Sequence, residues 1–199
     1  DAGSSAIITN CTITGNTAGN GGGIYGYVSS SSITNCTISG NTSTLSGGGV
    51  CLDNASDSVT NSILWGNVPD QHYLTNNGRF SSLTYTDIDN HLGETGNGNI
   101  RQDPLFVDPA NGDFRLQPTS SCIEAGTSDG APSTDRDGFS RYDYPPATNT
   151  GGGTYPYYDM GAYEKQGAVT PIEGTIGSVL TINGSDFGTK KGKVLINGI

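Results

Sequence analysis

The side chains in this 199-residue chain whose types and spacing could do chemistry are mostly acids. Asp135-Arg136-Asp137-Gly138 is a fragment of a calcium-loop pattern, although no closing glutamate follows at EF-hand spacing. Asp103, Asp108 and Asp113 crowd a second, turn-rich segment. Each place is a candidate for structural Ca2+, since hard cations collect carboxylate oxygens. The competing reading has each aspartate capping its own turn through the backbone. Asp87 and Asp89 are two residues apart and would share one face of a strand, which does not by itself make an acid–base pair. His72 and His91 stand alone, with no ligand or triad partner at useful spacing. Trp65, Tyr25 and Tyr27 are candidate ligand-binding residues, because an aromatic ring on a flat wall can stack on a sugar. The cysteines, Cys11, Cys36, Cys51 and Cys122, include no C-x-x-C pair, which argues against zinc. Their even number leaves a disulfide open. The simpler reading stacks Cys11 and Cys36 as small buried side chains.

A repeat must position these residues. Ile8-Thr9-Asn10-Cys11-Thr12-Ile13-Thr14-Gly15-Asn16-Thr17, followed by Gly21-Gly22-Gly23-Ile24, returns as Ile33-Thr34-Asn35-Cys36-Thr37-Ile38-Ser39-Gly40-Asn41-Thr42, followed by Gly47-Gly48-Gly49-Val50. It decays into Val59–Asn67 and Leu83–Asn90; the equivalent apolar residues Ile13, Ile38, Leu64 and Ile88 are spaced by 25, 26 and 24. Such a period, with aliphatics, Asn and Gly in register, predicts a right-handed parallel β-helix. Each coil would hold three short strands and stack on the next at about 4.8 Å. Strand alternation points Ile33, Cys36 and Ile38 inward and Thr34 and Thr37 outward. Asn35 would make a left-handed turn, which asparagine tolerates well. Gly40-Asn41 makes the next bend. Asn10, Asn35 and Asn61 would stack, with their amides bonding along the ladder. Trp65 falls in the outward row of Thr14, Ser39 and Asp89, either free to meet a sugar or covered by the following loop, 68–82. Asn10, Asn35, Asn41, Asn54 and Asn183 head N-x-[ST] sequons, but Asn10 and Asn35 are ladder residues and poor acceptors.

The motif I-x-N-C-x-I-x-G-N followed by G-G-G-[IV] resembles the repeats of polymorphic outer-membrane proteins and similar bacterial surface β-helices. Asn61–Asn67, Tyr85–Asp89 and Gly98–Pro118 resemble the last coils of that family. Cys122–Gly126, Asp135–Gly138 and Asp159–Glu164 are similar to the terminal segment of choice-of-anchor surface proteins. The resemblance covers about residues 1–165 and implies an all-β, pectin-lyase-like solenoid. The coils would occupy residues 1–126, with more coils expected upstream because Ala6-Ile7-Ile8 starts directly in a strand. Residues 127–165 would form an irregular cap over the unpaired edges of the last coil. Residues 166–170 read as a linker. Residues 171–199 resemble the opening of an immunoglobulin-like domain of the TIG type: Pro171-x-x-Gly174-x-x-Gly177, a strand, Gly184-x-x-Phe187-Gly188, another strand. Such a β-sandwich needs roughly 80–100 residues, so this one is incomplete.

The net charge of −10 argues against a nucleic-acid partner and against anionic membranes. No apolar run is long enough to span a bilayer. No signal peptide is visible, and Asp1 lies within a repeat, so the chain reads as a processed piece. Polysaccharide lyases need an Arg or Lys base and usually Ca2+. The first lysine is Lys165, and residues 1–126 hold only Arg79, Arg101 and Arg115. The D-D, G-H-G and R-I-K signatures of the polygalacturonase kind are absent. The sequence therefore predicts a secreted or cell-surface, structural and adhesive rod, non-catalytic in this stretch, that shows a face to a polysaccharide or a cell-surface protein. Two rivals stand beside it. One is the end of a polysaccharide lyase or glycoside hydrolase whose site lies upstream. The other is an extracellular filament subunit that self-associates through its first coil.

Overall fold

The computed structural model describes residues 5–89 and 97–167. The chain divides between Lys165 and Gln166. The TIG-type segment at 171–199, most of the linker and His91 lie outside the described residues.

The repeat folds as a parallel β-solenoid of about three turns. The first coil holds β1 (Ile7–Thr9), β2 (Thr12–Thr14), β3 (Thr17–Asn20) and β4 (Ile24–Tyr27). The second holds β5 (Ser32–Thr34), β6 (Thr37–Ser39), β7 (Thr42–Ser46) and β8 (Val50–Asp53). The third holds β9 (Ser56–Thr60), β10 (Ile63–Trp65) and β11 (His72–Thr75), and β12 (Arg79–Thr84) and β13 (Asp87–Ile88) begin the next. Equivalent strands pair in parallel into three main ladders, β1-β5-β9-β12, β2-β6-β10-β13 and β4-β8-β11. The registers place Ile8 beside Ile33 beside Val59 beside Leu83, and Ile13 beside Ile38 beside Leu64 beside Ile88. These rows form one core with Cys36, Val50, Leu52 and Ala55. Each fully buried aliphatic contributes roughly 1.5–3 kcal/mol.

The corner between the first two ladders is set by a left-handed residue in every coil: Asn10, Asn35, Asn61 and Tyr85, with φ between 48 and 52°. The next corner uses Gly15, Gly40 and Gly66 at φ 63 to 68°. The glycine triplet is required by contact as well as by bending. A Cβ at Gly48 would lie 2.2 Å from the Val68 carbonyl oxygen of the next coil.

The asparagine stack differs from the sequence expectation. In the Asn10, Asn35, Asn61 row one direct amide link forms, Asn61 Nδ2 to Asn35 Oδ1 at 3.2 Å. The left-handed corner turns these amides toward the C-terminal segment instead. They donate to the carbonyls of Thr134 (2.7 Å), Asp159 (3.2 Å) and Thr127 (2.6 Å) respectively. The continuous ladder runs through Asn16, Asn41 and Asn67. Asn41 Oδ1 accepts from the Asn16 backbone and amide at 3.1 and 3.0 Å. Asn67 Oδ1 accepts from the same two groups of Asn41 at 3.0 Å each. Gln71 closes the row, accepting from Asn67 Nδ2 at 2.7 Å.

Beyond β13, Ile100 bridges to Asp87, and β14 (Phe106–Asp108) pairs antiparallel with β15 (Asp113–Leu116). The turn of this hairpin lies over the outward row of the second ladder, where Thr14, Ser39, Pro109, Ala110 and Phe114 line one cleft. The irregular chain that follows runs along the Asn corner past every coil. Thr127 meets Asn61, Thr134 and Arg141 meet Asn10, and Asp159 meets Asn35. Thr37 is consequently 1% exposed, although the alternation points it outward: its Oγ1 accepts from the Ala162 N–H at 3.1 Å. The segment read as an end cap is thus a lateral strap on the solenoid wall.

Candidate functional site

With the hairpin and strap on one wall, neither of them covers the outer face of β4-β8-β11. Strand alternation sends Ile24 and Gly26 inward and Tyr25 and Tyr27 outward. The register sets Tyr25 beside Cys51 beside Tyr73, and Tyr27 beside Asp53 beside Thr75. Tyr25, Tyr27 and Tyr73 are 48, 49 and 44% exposed. Tyr25 and Tyr73 sit two coils apart, about 10 Å at the usual strand spacing. Asp53 orders the face between them: it accepts from the Tyr25 hydroxyl at 3.1 Å and from Asn76 Nδ2 at 2.8 Å. A groove of about 530 Å³ lies at the end of the first described coil, lined by the inward-facing Ile8 and Ile24 with Ser29, Ser31 and the buried Asp57, and touches Tyr25 and Tyr27 at its edge; it is no part of the outer face. Three half-exposed phenols around a carboxylate form a surface of flat apolar faces and directed hydrogen-bonding groups.

Trp65 does not join this face. It is half-buried and packs against the apolar cluster that holds Phe106, Phe114 and Leu116. Its cover is that later cluster, where the sequence offered the loop 68–82.

The candidate metal aspartates make local contacts. Asp103 Oδ1 accepts from the Leu105 N–H at 2.9 Å, and Asp108 Oδ2 from Asn111 Nδ2 at 2.7 Å. Asp113 pairs with Arg115, which holds its carboxyl below the usual range. Asp135 Oδ1 accepts from the backbone of Asp137 and Phe139 at 2.9 Å each, the turn-capping alternative. The Asp137 side chain is exposed. All four cysteines are free thiols. Burial pushes Cys36 up to about 12.

The strap gathers titratable groups that the sequence reading passed over. Arg141 Nη1 donates to Glu164 Oε2 at 2.7 Å, with both side chains almost fully buried. Glu124, Asp159 and Glu164 each bring a carboxylate oxygen within 4.8 Å of the others, and among the described residues they are the one such acidic group. Asp159 Oδ1 accepts from the Glu124 N–H at 2.9 Å, and Asp159 Oδ2 from the Lys165 N–H. Burial raises Glu124 to about 7 and Asp159 to about 6. A second buried pair lies under the last coil, where the Cys122 thiol donates to Asp87 Oδ2 at 3.2 Å. Burial raises Asp87 to about 7. The signal was in plain view, because Glu124, Asp159 and Glu164 all fall in the terminal motifs. Their separation along the chain hides that they meet.

No helix among the described residues is long and apolar enough to cross a membrane. No curated protein and no solved structure matches the chain. Two stretches, residues 10–27 and 35–53, match the family description of the Chlamydia polymorphic membrane protein repeat. They coincide with the first two coils from the Asn corner to the tyrosine-bearing ladder, so over these coils the chain is similar to that repeat, here laid out on a parallel β-solenoid.

Proposed function

We propose that this chain is part of a rigid, non-catalytic rod at a bacterial outer surface, and that the outer face of β4-β8-β11 holds a neutral glycan. The observation that carries this reading is the register of Tyr25, Tyr27 and Tyr73 around Asp53 on the wall that the hairpin and strap leave open. A sugar presents an apolar ring face and a rim of hydroxyls, which matches phenol rings flanking a hydrogen-bonding carboxylate. Asp53 and the net charge of −10 disfavour polyuronates and sulfated chains. The parallel core keeps the rings at fixed spacing, so little ordering opposes binding.

Isothermal titration with neutral oligosaccharides (cello-, xylo- and chito-oligomers) and with oligogalacturonate tests the reading. The expectation is binding to at least one neutral oligomer, weakened tenfold or more in Tyr25→Ala/Tyr27→Ala, with weaker binding of oligogalacturonate. Equal binding by wild type and the double variant would overturn it, as would a preference for the uronate.

A further inference from the structure

We propose that Glu124, Asp159 and Glu164 form a Ca2+ site that locks the C-terminal strap along the coils. The three residues are 0, 0 and 4% exposed, and each offers an oxygen within 4.8 Å of the others. The buried Asp135 carboxylate adjoins them, accepting from the Glu164 N–H at 3.1 Å. The cations set against these four acids are Arg141, paired with Glu164, and Lys165, whose charge acts on Asp159. Buried carboxylates in such excess are strongly unfavourable unless something neutralises them.

The hydrogen bonds decide between a proton and a cation. Asp159 accepts a backbone N–H on each oxygen, from Glu124 and Lys165. Glu164 accepts from Arg141 and from the backbone of Tyr142 and Asp159. Donors aimed at both oxygens favour the ionised form. Glu124 breaks the pattern. Its Oε1 accepts from the Tyr144 N–H, but its Oε2 is buried with no hydrogen-bond partner among the described residues. Asp143 Oδ1 is a second buried oxygen with no partner, and the Asp143 charge bears on Glu124. A buried carboxylate oxygen without a donor, set among other carboxylates, gains from any positive charge placed beside it, and a cation supplies that charge at a pH where the proton is leaving.

The donor set consists of hard oxygens alone, the ligand type that suits Mg2+, Ca2+ and Mn2+. Mg2+ retains several waters and demands strict octahedral geometry, whereas Ca2+ accepts crowded, irregular oxygen cages. A buried, carboxylate-rich cluster therefore favours Ca2+ over Mg2+. The consequence reaches the coils. The Asp159 carbonyl accepts from Asn35, and Arg141, held by Glu164, donates to Asn10. A cation at this point fastens the strap to two coils.

The test uses the full chain, stripped with chelator and titrated at neutral pH with Ca2+ alone or Mg2+ alone, followed by calorimetry and melting. Ca2+ should raise the wild-type Tm saturably, and Mg2+ should bind at least tenfold more weakly. Glu124→Gln should lose tenfold or more in Ca2+ affinity, because it removes the orphan charge and keeps the shape. It should also melt higher than wild type when both are metal-free. Asp143→Asn provides a second variant with a weaker loss should Glu124→Gln not fold. A wild-type Tm unmoved by Ca2+ would overturn the site, because protons alone would then neutralise the cluster. An equal Ca2+ response in wild type and both variants would overturn it too, placing the cation elsewhere.

Discussion

Replacing Arg141 by methionine keeps much of the side-chain volume and removes one charge from the interior of the strap. The guanidinium and the Glu164 carboxylate are 0 and 1% exposed, so water cannot step in for the lost partner. Three contacts vanish: Nη1 to Glu164 Oε2 at 2.7 Å, Nη2 to Asn10 Oδ1 at 2.9 Å and Nη2 to the Gly161 carbonyl at 3.3 Å. Stranding one member of a buried pair costs about 3–5 kcal/mol. For a unit of this size each kcal/mol moves Tm by about 2–4 °C, so the expected drop is about 6–20 °C. Calorimetry and urea melts measure it. Limited proteolysis locates it, because cleavage should begin within the strap while the coils persist. In chelator, the double variant Arg141→Met/Glu164→Met removes both charges and should recover part of the loss, the Tyr142 and Asp159 N–H groups being left without their carboxylate acceptor. A single variant within about 0.5 kcal/mol of wild type would refute the reasoning. Strictly additive costs for the two single variants would do the same, since they would show that the pair is not coupled.

Two further perturbations probe the buried polar groups. Glu124 and Asp87, raised to about 7, and Asp159, raised to about 6, hold protons more tightly in the folded than in the unfolded chain. Their contribution to stability is therefore full below about pH 4 and is lost as pH rises to about 7. In chelator, Tm should fall between pH 5 and 8, and Asp87→Asn should flatten the slope; a Tm that rises across that window in wild type contradicts the assignment. Asn41→Leu should cost about 2–5 kcal/mol, because it leaves the Ile13 carbonyl and the Asn16 backbone N–H without their amide partner. A leucine variant as stable as wild type in urea melts would show that the ladder contributes no net stability.

The legible parts of this molecule were those written by local repetition. Ile13, Ile38, Leu64 and Ile88 recur at coil length, and the structure stacks them side by side. Asn35 reads as a left-handed corner because a short amide tolerates that backbone, and its φ is 49°. Tyr25 and Tyr27 read as lying near an outer face, and both are half-exposed. The roles of the other asparagines were not legible. Asn35 and Asn41 look alike as sequence. One turns its amide toward the strap and the other toward the next coil.

The sequence by itself determined the coil: its period, its inward rows, its corners and the outward tyrosines, because a solenoid repeats short-range rules at fixed spacing. Only the tertiary structure decided what lies on the walls. It covered Thr37 with Ala162, set Trp65 against the cluster that holds Phe106 and Phe114, and brought Glu124, Arg141, Asp159 and Glu164 together. Those contacts join residues far apart in the chain through a segment that does not repeat. Periodicity carries no information about where such a segment lies, so the buried charges that hold it in place were hidden until it was folded against the coils.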